Sequence, residues 1–349
     1  MKPFTRNLVT ISLLLLAFNP STAQQTSKSR QIKKEFQVRS DVTLRANISY
    51  AEIACLTWDK DIVSVIAEVE ADSHNEKTAQ RILERFDPNI SGSAGLVEIK
   101  WNGLTATTGS EVSDIHVSFK VYLPQTGSLD ITSRFGSLYA ESTRGNVNLS
   151  VDYGNLTLKR FDNPGIRIGM KFSTGTIESL SDASIDLRYT TLSIGSASVL
   201  SLNSKFSTIT IEKATGIKLE SSYDNLKINR VSGIDGSGRF SNMTIATLIN
   251  RLQMDLEYGG MEVETVNPGF SLIDINSSFN SVKMGISPEA SYELKADMSF
   301  GDCKYPLGAT VSVKEPSPTS RIITGRVGSS ASSSSKVNIK GRNCEVRLY

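Results

Sequence analysis

The chain has 349 residues, of which 39% are hydrophobic and 21% are charged, and its formal net charge at pH 7 is +2. This composition is typical of a folded protein and excludes an intrinsically disordered one, which lacks the apolar surface to form a core. It also argues against general nucleic-acid binding, because such binding requires many cations to neutralise phosphate groups.

The N-terminus has the features of a secretory signal peptide. Lys2 and Arg6 precede an apolar run, residues 8–18, that is too short to span a bilayer, and small residues follow as far as Ala23. We therefore predict cleavage near Ala23 and export of the mature protein to the periplasm, the cell surface or the extracellular space. Removal of residues 1–23 takes away two of the 38 cations and none of the 36 anions, so the formal charge becomes 0. No later apolar run is long enough for a membrane span.

Residues 24–125 are predicted to form an N-terminal cap region with a first coil, one helix and longer strands. Ser73 and Glu76 have the spacing of a capping box, and an amphipathic pattern follows as far as Pro88, so the sequence predicts one short helix here. Apolar and polar residues then alternate over residues 114–124, which predicts a long strand. We expect these elements to cover an open end of the structure that follows, because an uncovered strand edge promotes aggregation.

Residues 126–303 contain a repeat of about 17–21 residues in which one aromatic residue marks each unit. The marks are Phe135, Tyr153, Phe172, Tyr189, Phe206, Tyr223, Phe240, Tyr258, Phe279 and Phe300. Apolar and polar residues alternate on both sides of each mark, as in strands with one buried face, and turn-forming residues follow it. One such unit cannot bury its apolar face alone, whereas stacked units can. The sequence therefore predicts an all-β solenoid whose coils rise about 4.8 Å each, with an antiparallel meander or sandwich as the alternative.

The aromatic marks are predicted to point inward at a corner of each coil. Each mark is an even number of residues after the apolar positions that precede it, so strict alternation of inward and outward side chains places it in the interior. Stacked coils would bring the rings into a ladder, in which each offset pair adds about 0.5–1.5 kcal/mol beyond burial. On this interpretation Phe206→Ala costs about 3–5 kcal/mol, as for a buried ring. Two further copies, at Tyr50 and Asn343, keep the apolar pattern, although Asn343 replaces the aromatic.

Residues 304–349 are predicted to form a C-terminal loop, one strand and the last coil. Prolines and a serine-rich stretch interrupt the repeat, and the intervening residues 321–327 predict a strand. The last coil is centred on Asn343, and we expect this region to close the other end of the solenoid.

The sequence offers few groups for catalysis. Its two histidines, His74 and His116, accompany no nucleophile motif, and no metal-binding, phosphate-binding or dinucleotide motif is present. β-Helix enzymes that act on acidic polysaccharides gather charged residues on one face. Five aspartates stand at different offsets from the marks, which predicts that they do not gather: Asp130, Asp152, Asp186, Asp255 and Asp274. We therefore predict a protein that is not an enzyme and has no cofactor.

The three cysteines, Cys55, Cys303 and Cys344, show no metal-binding spacing. In an exported protein they could form one disulfide and leave one thiol. We expect them to be small core residues or partly buried thiols, and the sequence leaves their pairing open.

A basic residue immediately precedes the aromatic mark in five of the ten units. These residues are Arg134, Lys171, Arg188, Lys205 and Arg239. Alternation places them outward, so stacked coils would form a basic stripe able to bind an anionic glycan or lipid head group. The alternative is protection of strand edges and solubility, for which Lys and Arg also serve. Asp152 and Glu257 interrupt the column.

Several segments resemble a bacterial family labelled putative adhesin, whose members are exported β-solenoid proteins of Bacteroidetes-type bacteria. The segments are SYAEIACLTWDKDIVSVIAEVE at 49–70, NEKTAQRILERF at 75–86, VYLPQTGSLDITSRFGSLYAE at 121–141, the repeated units, and VNIKGRNCEVRLY at 337–349. The family usually has Gly-Asp or Gly-Asn in the turn, where this chain often has Ser-Thr, Asp-Asn or Ser-Asn. The resemblance implies a right-handed β-helix-like fold and a role at the envelope or cell surface, and it implies no catalytic residues.

The preferred hypothesis is a non-enzymatic, exported, adhesin-like solenoid that binds or scaffolds at the bacterial cell envelope or surface. Its partner would be a glycan or another envelope component, and we expect no nucleic-acid partner. The alternatives are a polysaccharide-acting β-helix enzyme and a secreted structural module that assembles with itself. A clustered carboxylate groove would favour the enzyme, whereas flat strand faces would favour binding or assembly. The oligomeric state is left open by the sequence.

Overall fold

The computed structural model describes residues 26–104, 112–330 and 333–349. The predicted signal peptide, residues 1–23, lies outside the described residues. Strands dominate the described part of the chain, and no helix in it combines the length and the apolar character that a membrane crossing requires.

The strands and the helix fall into three groups along the chain. The N-terminal elements are β1 (Thr26–Gln37), β2 (Thr43–Ser49), β3 (Glu52–Trp58), β4 (Ile62–Ser73), α1 (Glu76–Arg85), β5 (Asn89–Gly92), β6 (Leu96–Trp101) and β7 (Val112–Pro124). The central strands are β8 (Ser128–Arg134), β9 (Ser137–Ala140), β10 (Val147–Asp152), β11 (Asn155–Phe161), β12 (Ile166–Lys171), β13 (Thr174–Arg188), β14 (Thr191–Lys205), β15 (Thr208–Ser222), β16 (Asn225–Arg239), β17 (Asn242–Val266) and β18 (Leu272–Ile286). The C-terminal strands are β19 (Tyr292–Ser299), β20 (Asp302–Lys304), β21 (Thr310–Ser317), β22 (Ser320–Val327), β23 (Lys336–Arg342) and β24 (Glu345–Leu348).

The central coils stack one above the next with parallel strands in register. β13 and β14 pair from Thr174 opposite Thr191 to Arg188 opposite Lys205, and β15, β16 and β17 continue the stack. Like side chains therefore lie over like. One buried column of the core runs through Ile177, Ile194, Ile211, Ile228 and Ile245. Parallel pairing of successive units confirms the all-β solenoid, and the antiparallel meander or sandwich is wrong. The right-handed winding stays a prediction.

The ring of each aromatic mark points outward, so the predicted inward orientation is wrong. All twelve mark positions, which include Tyr50 and Asn343, have φ between 49° and 58°. This left-handed conformation reverses the alternation at the corner, so that the mark faces solvent and the residue after it faces inward. The rings are 38–61% exposed, with Phe206 at 46%. The cost of about 3–5 kcal/mol expected for Phe206→Ala as a buried ring therefore does not apply.

The predicted helix is present, but the predicted capping box is wrong. α1 begins after Asn75, whose side chain accepts a hydrogen bond from the Lys77 N–H. Ser73 is the buried last residue of β4, and its hydroxyl accepts from the Asn75 N–H at 3.0 Å. The extended strand thus continues through Ser73, which moves the cap two residues along the chain.

The first coil, formed by β2, Tyr50 and β3, lies inside the stack rather than at its end. β2 pairs with β8 on one side and β6 on the other, and β3 lies between β9 and β7. β7 then pairs antiparallel with β4, and β4 with β1. α1 buries Ile82 and Leu83 at this end, and the Phe86 ring packs against Trp101 with a centroid distance of 5.2 Å.

The last coil, formed by β23, Asn343 and β24, also lies inside the stack. β23 pairs in parallel with both β18 and β19, and β24 pairs in parallel with both β18 and β20. β19 pairs antiparallel with β22, which pairs with β21. The strand predicted at 321–327 is β22, and the hairpin of β21 and β22 extends this end of the sheet.

Candidate functional site

Ten aromatic rings form one continuous ladder along a corner of the solenoid, from Tyr50 to Phe279. Successive ring centroids are 4.8–5.1 Å apart, and neighbouring rings are within 13° of parallel. Tyrosine and phenylalanine alternate at every step. Asn343 lies between Phe279 and Phe300 in the stack, so the ladder ends at Phe279. The predicted ladder is confirmed, although its rings face outward.

Each ring is attached to a strained backbone position that its neighbours help to stabilise. A left-handed residue other than glycine costs about 1–2 kcal/mol, whereas each stacked ring pair contributes about 0.5–1.5 kcal/mol. The backbone N–H groups of the marks from Phe135 to Phe240 also donate to carbonyls of the next coil. Tyr189 donates to the Lys205 carbonyl and Phe206 to the Ser222 carbonyl, both at 3.1 Å. Stacking and hydrogen bonding together therefore offset the strain and stiffen this corner.

In five central coils the residue after the ring is a buried Ser, Thr or Asp. These residues are Ser173, Thr190, Ser207, Asp224 and Ser241. Their side chains form a hydrogen-bonded network behind the rings. The Ser207 hydroxyl donates to the Lys205 carbonyl at 2.9 Å and accepts from the Thr190 N–H at 3.2 Å. The network thus links one coil to the next on the inner side of the corner.

Asp224 makes the most hydrogen bonds in this network and is only 1% exposed. Its Oδ1 accepts from the Ser207 N–H at 2.7 Å. Its Oδ2 accepts from the Ser221 hydroxyl at 2.7 Å and from the Ser222 N–H at 3.1 Å. These donors replace the water that a buried carboxylate would otherwise lose. Sequence reasoning treated Asp224 only as a turn former; its place directly after a mark was the available signal.

In four outer coils glycine takes the position after the ring. These residues are Gly136, Gly154, Gly259 and Gly301. A Cβ atom at any of them would lie less than 3.0 Å from a backbone carbonyl oxygen of the neighbouring coil, such as that of Gly136 for Gly154. The backbones of adjacent coils therefore approach more closely here than a side chain permits.

Three consecutive cations of the predicted basic stripe lie beside the ladder. Lys171 is opposite Arg188, and Arg188 is opposite Lys205. Among the described residues, no carboxylate oxygen lies within 4.0 Å of the side-chain nitrogen atoms of these three cations. Arg188 instead donates to the carbonyls of Leu187 at 2.7 Å and Asn203 at 3.4 Å. In the described part of the chain these three cations thus form no ion pair, although Asp152 is the register partner of Lys171 on the preceding coil.

The two outer members of the stripe are paired with acidic residues of adjacent coils. Arg134 Nε lies 3.8 Å from Asp152, and Arg239 Nε lies 2.8 Å from Glu257. The five predicted cations therefore differ in their surroundings, because the outer two are held in ion pairs and the central three, among the described residues, are not.

The ladder presents ring edges, rather than ring faces, to solvent. Each internal ring is covered on both faces by its neighbours at about 5 Å, so a sugar ring has no free face on which to stack between the steps. Ring edges carry the positive end of the aromatic quadrupole. The exposed edges and the adjacent cations therefore both favour a partner rich in negatively charged oxygen atoms.

A shallow depression beside the ladder extends over several coils and is lined by both acidic and basic residues. Asp186, Asp255 and Asp274 line it, because positions three and five before the mark share one strand face. Asp186 and Asp255 nevertheless lie four coils apart in one column, and Asp274 lies on the coil after Asp255, so the three aspartates form no single cluster. Asp130 and Asp152 instead pair with arginines elsewhere. Three cations line the same depression: Lys218, Arg251 and Lys340.

The histidine and cysteine side chains form no reactive cluster in the part of the chain that the structure covers. His116 Nε2 lies 3.8 Å from Glu52 on an exposed strand face. Cys55, Cys303 and Cys344 are free and buried, and burial raises the pKa of the Cys55 and Cys303 thiols to about 12. Among the described residues, no group of three or more His, Cys, Asp and Glu side chains could hold a metal ion.

Comparison with known proteins finds similar solved structures, whereas no family model and no curated protein matches the chain. A putative adhesin from Parabacteroides distasonis is 12% identical with a TM-score of 0.41, covering 67% of this chain and 97% of that chain. A putative adhesin from Bacteroides fragilis is 10% identical with a TM-score of 0.28, covering 92% and 97%. A putative lipid binding protein from Parabacteroides distasonis is 12% identical with a TM-score of 0.29, covering 67% and 96%. The first two carry the description of the family that the sequence resembles, and the fold itself rests on the strand pairing.

Proposed function

We propose that this protein is a non-enzymatic, exported, adhesin-like solenoid whose ladder corner binds an anionic polymer of the bacterial envelope or surface, such as an acidic glycan. The observation that carries the proposal is the position of Lys171, Arg188 and Lys205 beside a row of exposed ring edges. Residues 126–303 supply this surface, and residues 24–125 and 304–349 serve as its caps. Export rests on the predicted signal peptide.

The ring edges supply the apolar part of the contact. Contiguous exposed apolar surface is uncommon on monomeric proteins and marks sites of interaction. Each ring of the ladder is at least 38% exposed, and a partner that covers these edges gains about 25 cal/mol per Å² of apolar surface removed from water. Because the rings repeat at every coil, the gain increases with the length of the partner along the stack.

The three cations supply the charged part of the contact. Like charges about 5 Å apart repel by roughly 0.8 kcal/mol in water, so an anion bound between them relieves this repulsion. The cations repeat along the stack at the interval of the coils. A linear polymer with a regular repeat of negative charge can therefore meet all three, whereas a small anion meets one or two.

The test is binding of the mature chain, residues 24–349, to a soluble polyuronate and to a neutral polysaccharide by titration calorimetry at low and high salt. We expect binding to the polyuronate alone, with loss of affinity as salt screens the charges. The Lys171→Ala/Arg188→Ala/Lys205→Ala variant should bind at least roughly tenfold more weakly, which is about 1.4 kcal/mol.

The matched control replaces two lysines and one arginine away from the ladder, Lys213, Arg230 and Lys295, all exposed. This variant has the same net charge as the triple variant and should keep the parent affinity. An equal loss in both variants would mean that net charge alone attracts the polymer. Absence of binding at low salt would refute the proposal.

A further inference from the structure

The last coil fills a slot between two coils that are adjacent in the chain. β18 and β19 are separated by residues 287–291 only, yet β23 lies between them in the stack. Val337 is opposite Ile273 of β18 and Leu294 of β19. Val346 of β24 is likewise opposite Val282 and Cys303. The end of the chain therefore completes a wall whose two sides are formed by earlier residues.

The apolar residues of the last coil are fully buried in this slot. Val337, Ile339, Val346 and Leu348 are each at most 2% exposed. A two-strand segment of this size does not hold its structure alone. When the segment leaves, β18 and β19 each expose a row of backbone N–H and C=O groups, and such edges readily accept another strand.

We propose that this slot also accepts the last coil of a second copy of the chain, so that two copies exchange Lys336–Leu348 reciprocally and form a closed dimer. The occupant follows from the register of the slot, because a second copy carries the same segment, which places Val337 opposite Ile273 and Leu294. The connection that would act as the hinge, residues 328–335, is composed of glycine, alanine and serine alone, and of its described residues Ser330 and Ser333 form hydrogen bonds with Ser291. This inference goes beyond the proposed binding function and does not depend on it.

Mass action decides which form is populated. The closed monomer and the exchanged dimer contain the same contacts, and they differ at the hinge and in the entropy of association. A short connection holds its own coil at an effective concentration on the order of millimolar. The monomer is therefore favoured in dilute solution, and the dimer forms when many chains fold together at high concentration. An exchanged dimer would carry two ladder corners and could bind one polymer at two places.

The test traps the last coil in its slot with an engineered disulfide in the full mature chain. Lys283 of β18 and Arg347 of β24 are exposed register partners, so Lys283→Cys/Arg347→Cys places two thiols on adjacent strands. The variant is refolded under reducing conditions at about 1 µM and about 100 µM and is then oxidised. We expect a disulfide-linked dimer on a non-reducing gel whose share rises severalfold at the higher concentration. Monomer alone at both concentrations would refute exchange.

The matched control keeps the same first position and moves the second to a strand that has no part in the exchange. Glu262 of β17 is the other register partner of Lys283, so Glu262→Cys/Lys283→Cys should close within one chain at either concentration. Equal dimer formation by the control pair would show non-specific crosslinking and would overturn the proposal.

Lengthening the hinge provides a second, independent measurement. Six Gly and Ser residues inserted after Ser330 should raise the dimer share of the Lys283→Cys/Arg347→Cys variant about twofold, because a longer connection lowers the effective concentration of the coil at its own slot. An unchanged share would mean that the copies associate through another surface, which is also contrary to the proposal.

Discussion

The central coils and the outer coils hold the same ring conformation in two different ways. From Phe172 to Phe240 the marks are spaced 17 residues apart, and a buried Ser, Thr or Asp follows each ring. Outside this region the spacing is 18–21 residues, and glycine follows the ring in four coils. The φ angles of the marks nevertheless stay between 49° and 58° throughout.

The comparison shows that the type of residue after each ring depends on how closely the backbones of adjacent coils approach, and not on the ring itself. Where adjacent coils leave room, a side chain fills it and satisfies backbone N–H and C=O groups, as Ser207 does. Where the backbones approach closely, a Cβ atom has no room, as at Gly154. The stacked rings are common to both arrangements.

The largest effect is expected from replacing Asp224, which makes the most hydrogen bonds in the network behind the rings. Asp224→Ala removes the acceptor for the Ser207 N–H, the Ser221 hydroxyl and the Ser222 N–H. Because buried donors without partners cost about 1–3 kcal/mol each, we expect a loss of about 3–5 kcal/mol in the free energy of unfolding. Urea unfolding followed by circular dichroism measures it.

The control for this variant is Asp186→Ala, which removes an exposed carboxylate on the outer face of the same solenoid and should change stability by less than about 0.5 kcal/mol. If Asp224→Ala also proved nearly neutral, the hydrogen-bonded network would not stabilise the central turns.

A smaller loss of stability is expected from placing serine where glycine follows the ring. Gly154→Ser copies the serine found one coil later at Ser173, but its Cβ would overlap the Gly136 carbonyl oxygen. We expect a cost of about 3 kcal/mol from the backbone shift that relieves this overlap. Gly216→Ser is the control, because its Cβ would meet only Val199 at an ordinary 3.7 Å. Equal stability of the two variants in thermal unfolding would show that the turn at Gly154 tolerates serine.

The smallest effect on stability is expected from removing one of the stacked rings. Phe206→Ala removes two stacked ring pairs, with Tyr189 and Tyr223, and should cost about 1–2 kcal/mol in urea unfolding. Phe206→Gly should be no worse than Phe206→Ala, because glycine adopts positive φ without penalty. This order reverses the usual preference for alanine over glycine in strands.

Phe300→Ala is the matched control for the ring. Phe300 has the same backbone conformation, with φ of 53°, but lies beyond the end of the ladder. Its replacement should therefore cost less than that of Phe206. A larger cost at Phe300 would mean that ring stacking contributes little to the stability of the corner.

Much of the architecture could be predicted from the sequence because it depends on local periodicity. The alternation around Ile209 and Ile211 identified buried strand faces, and the regular spacing of the marks identified stacked coils. The orientation of Phe206 could not be predicted in this way. The alternation of inward and outward side chains holds only along a continuous strand. One left-handed residue at the corner reverses this alternation.

The candidate surface was predicted only in part for a related reason. The position of Lys171, Arg188 and Lys205 followed from their shared offset to the marks. Their lack of acidic partners depends on which coil lies on each side, and so does the pairing of Arg134 with Asp152. Asp186, Asp255 and Asp274 line one depression because positions three and five before the mark share a strand face, which becomes visible only once the coils are stacked.

The sequence by itself determined the coil, because a repeat of apolar and polar residues buries its apolar face only when like units stack. The tertiary structure alone decided the order of the coils at both ends, where the first coil lies between β6 and β8 and the last between β18 and β19. Every coil presents nearly the same backbone edge and apolar column to its neighbours. The choice among neighbours therefore depends on the lengths of the connections and the packing of the caps, which local sequence patterns do not encode.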